Sequence, residues 1–440
     1  MSKIGLENLA ALVRRSEIDR QVGRIAAISA GTVRIAGLDR AAIGDRVRLG
    51  PERLEGEVVA IEGGERIALP DGVTTGLVPG QAAVSAGPLR LAPDDSWIGR
   101  IVDPAGQPMD GRPLLPGIAE RPLFAPAPDA ARRRGLGARL ETGLRAFNTV
   151  LPVVRGQRLG LFAGSGVGKS TLLAALARRV EADVVVLALI GERGREMREF
   201  VDRVLGPEGM ARTVVVGATA DRPAALRARC LPAALSIAEH FRDQGRHVLL
   251  LADSVTRHAE AHRQVAAARG EGPVLGGFPA SMPQEIMGLC ERAGPGTEET
   301  GDITALFTVL VAGSDMEGPV ADTLRGVLDG HVVLDRSIAE RGRFPAIDLS
   351  RSVSRSLPEA AEAQENTLIS EARRLIGAYE RSEMMIRAGL YAAGSDRTLD
   401  LAIQAWPKLD AFLGQSEPKG IHDSFVALAR CLSRKHEAAG

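Results

Sequence analysis

The sequence predicts a three-part α/β protein: a small all-β unit, a larger unit built on a buried parallel sheet, and a helical C-terminal unit. Three observations carry this. The 440 residues exceed one ordinary domain. Short β-branched runs with frequent turn signals give way near residue 92 to apolar strands alternating with longer helical stretches. Past Pro358 the apolar residues recur at helical spacing.

Composition narrows the function classes. Hydrophobic residues are 45% and charged residues 25%, which excludes wholesale disorder and a fibrous repeat. The 55 Lys and Arg balance 55 Asp and Glu, which argues against a protein that coats nucleic acid. With aromatics at 3%, the core must be mostly Leu, Val, Ile and Ala. Cys230, Cys290 and Cys431 form no CxxC pair, so neither a disulfide framework nor a zinc site is expected, and a reducing compartment is the simplest setting. The start, MSKIGLENLAALVRR, has no long apolar stretch, and the apolar run Val184–Ile190 is far short of the roughly 20 residues of a membrane span. A cytosolic chain, not integral to a membrane, is expected.

Residues 1–21 read as an amphipathic segment, with Leu6, Leu9 and Val13 on one stripe before Arg14 and Arg15. The stripe fits either a helix packed on its own domain or a docking segment. Residues 22–92 carry strand-like runs at 22–28, 32–36, 45–49, 57–61 and 66–69, which predict a small β-barrel or sandwich. Residues 93–357 form the α/β unit, with strands at 158–163, 184–190, 213–216 and 247–252. In 358–440, Leu368, Ala372, Leu375, Ile376 and Tyr379 share one helical face, and Ile421, Phe425, Leu428 and Leu432 another.

The most specific signal is Ala163-Gly164-Ser165-Gly166-Val167-Gly168-Lys169-Ser170-Thr171. It follows a strand and opens a helix, the setting a phosphate-binding P-loop requires. Glycines let successive backbone N–H groups turn onto one phosphate, and the helix N-terminus adds its positive end. Lys169 brings a cation to the β- and γ-phosphates, and the Ser170 hydroxyl is placed for Mg²⁺. Ala163 stands where Gly is usual, a position that tolerates a small side chain.

Hydrolysis needs more than a cradle. The strand from Val184 ends in Gly191-Glu192-Arg193-Gly194-Arg195-Glu196, which puts the Glu192 carboxylate at the edge where open α/β sheets bind ligands. From there it can orient a water toward the γ-phosphate. His247–Ala252 is an apolar strand closed by Asp253, the pattern of a carboxylate that supports Mg²⁺ directly or through water. His258 and His262 lie at i, i+4, without a third ligand, and read as an exposed helix face. Phe344 reads equally as core or as a ring that stacks on a base.

Taken in order, these motifs resemble the catalytic subunits of rotary ATP synthases and their type III export relatives. The resemblance runs through Gly164–Thr171, GERGRE at 191–196, LLLADSVTR at 249–257, LDGHVVL at 328–334 and FPAIDLSRSVSR at 344–355. RIVDPAGQPMDG at 100–111 and ETGLRAFNTVLPVVRGQR at 141–158 extend it to roughly residues 20–415. Within the family the chain is most similar to the flagellar export branch, on Phe162–Gly166 and Thr308–Asp315.

The resemblance implies a RecA-like P-loop ATPase core between a β-barrel and a helical domain, assembled as a homohexamer with ATP and Mg²⁺ at subunit interfaces. It implies that Glu192 activates water, that Arg193 contacts the γ-phosphate region, that Arg355 is an arginine finger reaching the neighbour's site, and that Phe344 stands against adenine. Gly318 replaces an acidic residue common before Pro319, and no Phe follows Gln415, which leaves the far side of the adenine pocket open.

Implied partners are a regulatory stalk protein, to which the N-terminal helix is a natural contact, together with the export gate and export substrates or chaperones. The implied location is the cytoplasmic face of the inner membrane, peripherally on the export apparatus. An injectisome ATPase and a proton-driven synthase subunit are the alternatives. A hexameric RNA translocase is disfavoured, because residues 1–123 hold one aromatic, Trp97, and single-strand binding relies on aromatic platforms. A non-catalytic nucleotide-binding subunit is disfavoured by the acid at Glu192.

Overall fold

The computed structural model describes residues 3–15, 20–29, 31–311, 317–417 and 419–433. Residues 312–315 of the Thr308–Asp315 stretch, and 16–19 of the N-terminal segment, fall outside them.

Six strands close an antiparallel barrel: β1 (Val22–Ser29), β2 (Thr32–Ala36), β3 (Asp45–Leu49), β4 (Leu54–Glu62), β5 (Glu65–Pro70) and β6 (Ala82–Pro88), in the order β1-β2-β5-β4-β3-β6. Alternation fills the interior: Val33 and Ile35 point in from β2, Val47 and Leu49 from β3. The sixth strand, Ala-Ala-Val-Ser-Ala-Gly-Pro, has little β propensity of its own. It forms because pairing with β1 and β3 closes the barrel and removes both edges.

Two short strands, β7 (Arg90–Leu91) and β9 (Arg121–Pro122), pair on the way into the core, while β8 (Ile101–Val102) joins the main sheet. That sheet is completed by β10 (Arg158–Ala163), β11 (Val184–Glu192), β12 (Thr213–Thr219) and β13 (Val248–Asp253). A two-stranded excursion, β14 (Pro273–Leu275) and β15 (Phe278–Pro279), precedes β16 (Ile303–Leu310), β17 (Gly330–Leu334) and β18 (Ile347–Ser354). The strand order is β18-β17-β10-β16-β13-β11-β12-β8, parallel except for β18.

Both faces of the sheet are covered. Val185, Leu187 and Leu189 of β11 pack toward helix Lys169–Arg179 and the C-terminal helices. Val184, Val186, Ala188 and Ile190 pack toward helices Ala224–Asp243 and Met282–Arg292. This two-sided burial is why the strands read as unbroken apolar runs.

Arg229, on helix Ala224–Asp243, ties barrel to core. Its side chain is 3% exposed and bonds Glu57 of β4 at 2.6 Å and Asp71 beyond β5 at 2.8 Å. At the other end, helices Ala363–Arg387, Arg397–Leu413 and Ile421–Leu432 pack together, with Tyr379 stacked on Trp406 at 4.2 Å between centroids. Arg139 grips Glu365 with two bonds of 2.9 Å, fixing this bundle to the core.

The N-terminal helix spans Lys3–Arg15, and Asn8 donates to Asp94 at 2.8 Å. Leu6 and Val13 of the expected stripe stay exposed. Among the described residues no helix is long and apolar enough to cross a membrane.

Candidate active site

The C-terminal ends of β10, β11 and β16 open onto a cleft of about 660 Å³, and Asp253, at the end of β13, lines an adjoining pocket of about 220 Å³ that shares Ser170 and Glu192 with it. β16 and β13 lie between the P-loop strand and the strand of Glu192, so the acid faces the cradle across the cleft. Gly166 and Gly168 have φ of +77° and +83°, left-handed values that a side chain resists. Gly168 then starts helix Lys169–Arg179. Ala163, Gly164, Ser165, Gly166, Gly168, Lys169, Ser170 and Thr171 all line the cleft. Val167 does not: its side chain is buried in the core beneath the loop, and only its backbone remains available to a phosphate. Its place in the motif is therefore a matter of backbone, as the cradle requires.

Lys169 is ion-paired with Asp253, and the Thr308 hydroxyl donates to the same Oδ1 at 2.8 Å. Among the described residues no bond ends on Oδ2 of Asp253. Ser254 follows as N-cap of helix Val255–Ala268, its hydroxyl accepting from Arg257 N at 3.3 Å.

Glu192 ends β11 just beyond a register shift at Gly191, where φ is +67°. The bulge re-aims the carboxylate from the sheet into the cleft. Burial, then the nearby Asp253 charge, pushes its pKa above the ordinary value, against the opposing pull of Lys169. Its carbonyl accepts from Ala220 N at 2.9 Å, which holds the strand end in place.

Arg193 lies on the exposed rim, paired with Glu196 at 3.0 Å. Phe344 is half exposed, and its ring lies against the P-loop: a Cβ on Gly168 would come within 2.9 Å of it. The ring lies beside the loop and is not part of the core, and it does not itself line the cleft. Arg355 is exposed and absent from the cleft of its own chain; it donates to Arg325 O at 3.3 Å.

Three side chains escaped the sequence reading. Arg257 lines the cleft beside Gly191, its Nε without a bond. Glu196 flanks Glu192, and Thr308 braces Asp253. Arg257 was readable as the basic residue closing LLLADSVTR, but its direction depends on the turn at Ser254. The two histidines are also not where the sequence placed them. His258 is fully buried, 3.7 Å from Glu285, and His262 bonds the Ser281 hydroxyl at 2.9 Å. Helix Met282–Arg292 covers that face, and no metal-binding cluster exists among the described residues.

The family model for the nucleotide-binding domain of the ATP synthase alpha/beta family matches residues 143–354, and that for the T3SS EscN ATPase C-terminal domain matches 361–429. A flagellum-specific ATP synthase of Caulobacter vibrioides is 43% identical over 98% of this chain and all of that protein. The chain belongs to the ATP synthase alpha/beta family. A SPI-2 type 3 secretion system ATPase of Salmonella typhimurium is 43% identical over 90% of each chain. Among solved structures, assembled EscN from the type III secretion system of enteropathogenic E. coli superposes with a TM-score of 0.87 at 38% identity, over 93% of this chain and 100% of that one. EscN bound to its central stalk EscO gives 0.85 at 39% identity, with the same coverage.

Proposed function

We propose that this protein is the ATPase of flagellar type III protein export, hydrolysing ATP with Mg²⁺ at the subunit interfaces of a homohexamer. The observation that carries the reading is Glu192: a carboxylate with a raised pKa that lines both the cleft of Lys169 and the adjoining pocket of Asp253.

The residues present fit Mg²⁺, since Asp253 keeps Oδ2 unbonded among the described residues and Ser170 lines the same pocket as Asp253. When bound, the ion neutralises charge on the β- and γ-phosphates. The backbone of Gly164–Gly168 wraps the phosphates, and Lys169 exchanges Asp253 for them. Glu192 accepts a hydrogen bond from the attacking water and aims it in line with the γ-phosphate; its raised pKa makes it the better proton acceptor. Arg257 and Arg193 stand on the γ-phosphate side, and Phe344 borders the base. Arg355 serves the neighbour's cleft.

An arginine finger supplied by a neighbour contributes about 10³–10⁵ in rate. Arg355→Ala is therefore expected to bind ATP normally and hydrolyse it slower by about that factor. The parent's specific activity should rise steeply with protein concentration as hexamers form. Parent-like turnover in the variant would remove the finger from Arg355, and a flat concentration dependence would remove the shared site.

EscN is solved with its stalk EscO; here Met384, in the last turn of helix Ala363–Arg387, and Leu390, just after it, are exposed, which supports an apolar contact for a stalk. We assign the export gate and substrates or their chaperones to the remaining contacts, at the cytoplasmic face of the membrane. The EscN-type C-terminal match favours an injectisome as the second reading. Deleting the gene separates them: loss of filaments supports the first, loss of effector secretion with normal motility the second.

A further inference from the structure

We propose that the cavity between the barrel and the ATPase core is a second anion site, shaped for an oligophosphate and distinct from the nucleotide cleft. At about 780 Å³ it is the more capacious of the two. Five guanidinium groups line it, from Arg20, Arg46, Arg48, Arg90 and Arg222.

The carboxylates in the wall are already engaged. Asp71 is taken by Arg46 and Arg229, and Glu55 pairs with Arg48 at 2.8 Å. Asp103 accepts from Ala105 N at 2.9 Å and Gln107 N at 2.8 Å, and burial raises its pKa, which weakens its hold on negative charge. Glu120 has a contact of its own.

What remains is an excess of positive charge: five lining guanidinium groups face four carboxylates, of which Asp71 is shared with Arg229 and Asp103 also feels the charge of Arg222. Among the described residues Arg20, Arg90 and Arg222 have no carboxylate within ion-pair distance. Arg46 is 7% exposed, yet its Nη1 is buried without a hydrogen bond. A buried donor left unpaired is costly, and guanidinium groups facing one cavity repel each other. An anion relieves both, and the planar fork of arginine matches phosphate oxygens two at a time. No aromatic side chain lines the cavity, so nothing there stacks on a base. The phosphates themselves are what the wall recognises.

The wall carries its own reporter. A Cβ on Gly106, in the turn whose neighbours Asp103, Ala105 and Gln107 line the cavity, would meet the buried Trp97 ring at 2.8 Å. The chain's other tryptophan, Trp406, is in the C-terminal helices, so Trp406→Phe leaves a single tryptophan, beside the site.

The test titrates sodium tripolyphosphate, at fixed free Mg²⁺, into full-length Trp406→Phe protein that also carries Glu192→Gln and is saturated with ATP at the P-loop. The expected result is a saturable change in Trp97 fluorescence, with affinity at least about tenfold weaker in the Arg90→Ser/Arg222→Ser variant. Both arginines are exposed, so that variant should fold, which circular dichroism checks. The proposal is overturned by no response, by equal affinity in the double variant, or by loss of binding when the protein is concentrated into its assembled form, which would mean a neighbouring copy fills the cavity. Free oligophosphate and the tail of a second nucleotide share this chemistry. Two ATP per chain at saturation would assign the nucleotide tail, and one ATP with tripolyphosphate still binding the free anion. Because the cavity binds independently of turnover, the result stands whether or not Glu192 is the hydrolytic base.

Discussion

The two ends of the central sheet treat charge in opposite ways. At the N-terminal ends of its strands the carboxylates are fully engaged. Asp302 accepts from Arg134 at 2.7 Å and Gly296 N at 3.0 Å and pairs with Arg155, while Thr304 accepts from Gly156 N at 2.9 Å and lies 2.8 Å from His247. Asp329 closes on Arg158 through its backbone N–H at 2.9 Å and its guanidinium at 3.2 Å. At the C-terminal ends they are left open: Asp253 is half bonded, and Glu192 is held near like charge. One edge is built to stay folded and the other to be completed by a ligand, which is the expected signature of a functional site.

That contrast can be broken at the stable edge first. Burial, aided by the Arg155 charge, lowers the His247 pKa to about 4 from 6.5. The unfolded chain takes up this proton first as pH falls. The contribution is therefore complete above about pH 6.5 and lost on the way down to about 4, roughly 3 kcal/mol in all. His247→Gln should flatten the stability curve across that window in urea unfolding, and an unchanged curve would deny His247 this role.

Asp302→Asn keeps the shape but removes the charge shared by two arginines, and should cost about 2 kcal/mol with ATP binding unaltered. A loss of ATP affinity without destabilisation would show that the two edges are not separate.

The smallest effect sharpens the ligand edge. Gly168→Ala adds a Cβ where φ is +83° and the Phe344 ring is 2.9 Å away. A cost of about 1–2 kcal/mol should appear as roughly tenfold weaker ATP binding. Adding Phe344→Ala should relieve the steric part and leave the backbone part, measurable by the two dissociation constants.

Legibility in the sequence followed the range of the interactions involved. The P-loop, the strand ending at Asp253 and the acid at Glu192 are local patterns, and the structure gathers them around two adjoining pockets that share Ser170 and Glu192. The strands of the sheet were readable because burial on both faces leaves an unbroken apolar run. Strand β6 was not, since its pairing comes from barrel closure and its residues carry no propensity signal. His258 and His262 were misplaced for the same reason: their helix looks amphipathic alone, and only helix Met282–Arg292, packed against it, buries them. The arginines at the barrel junction carry no motif at all. Their convergence comes from segments as distant as Arg46 and Arg222.

The most direct test of the account is ATP turnover by Glu192→Gln with Mg²⁺ at concentrations where the protein assembles. The account predicts that the variant binds ATP as the parent does and turns it over slower by about 10²–10⁴. Turnover equal to the parent's would place the water-activating group elsewhere and contradict it.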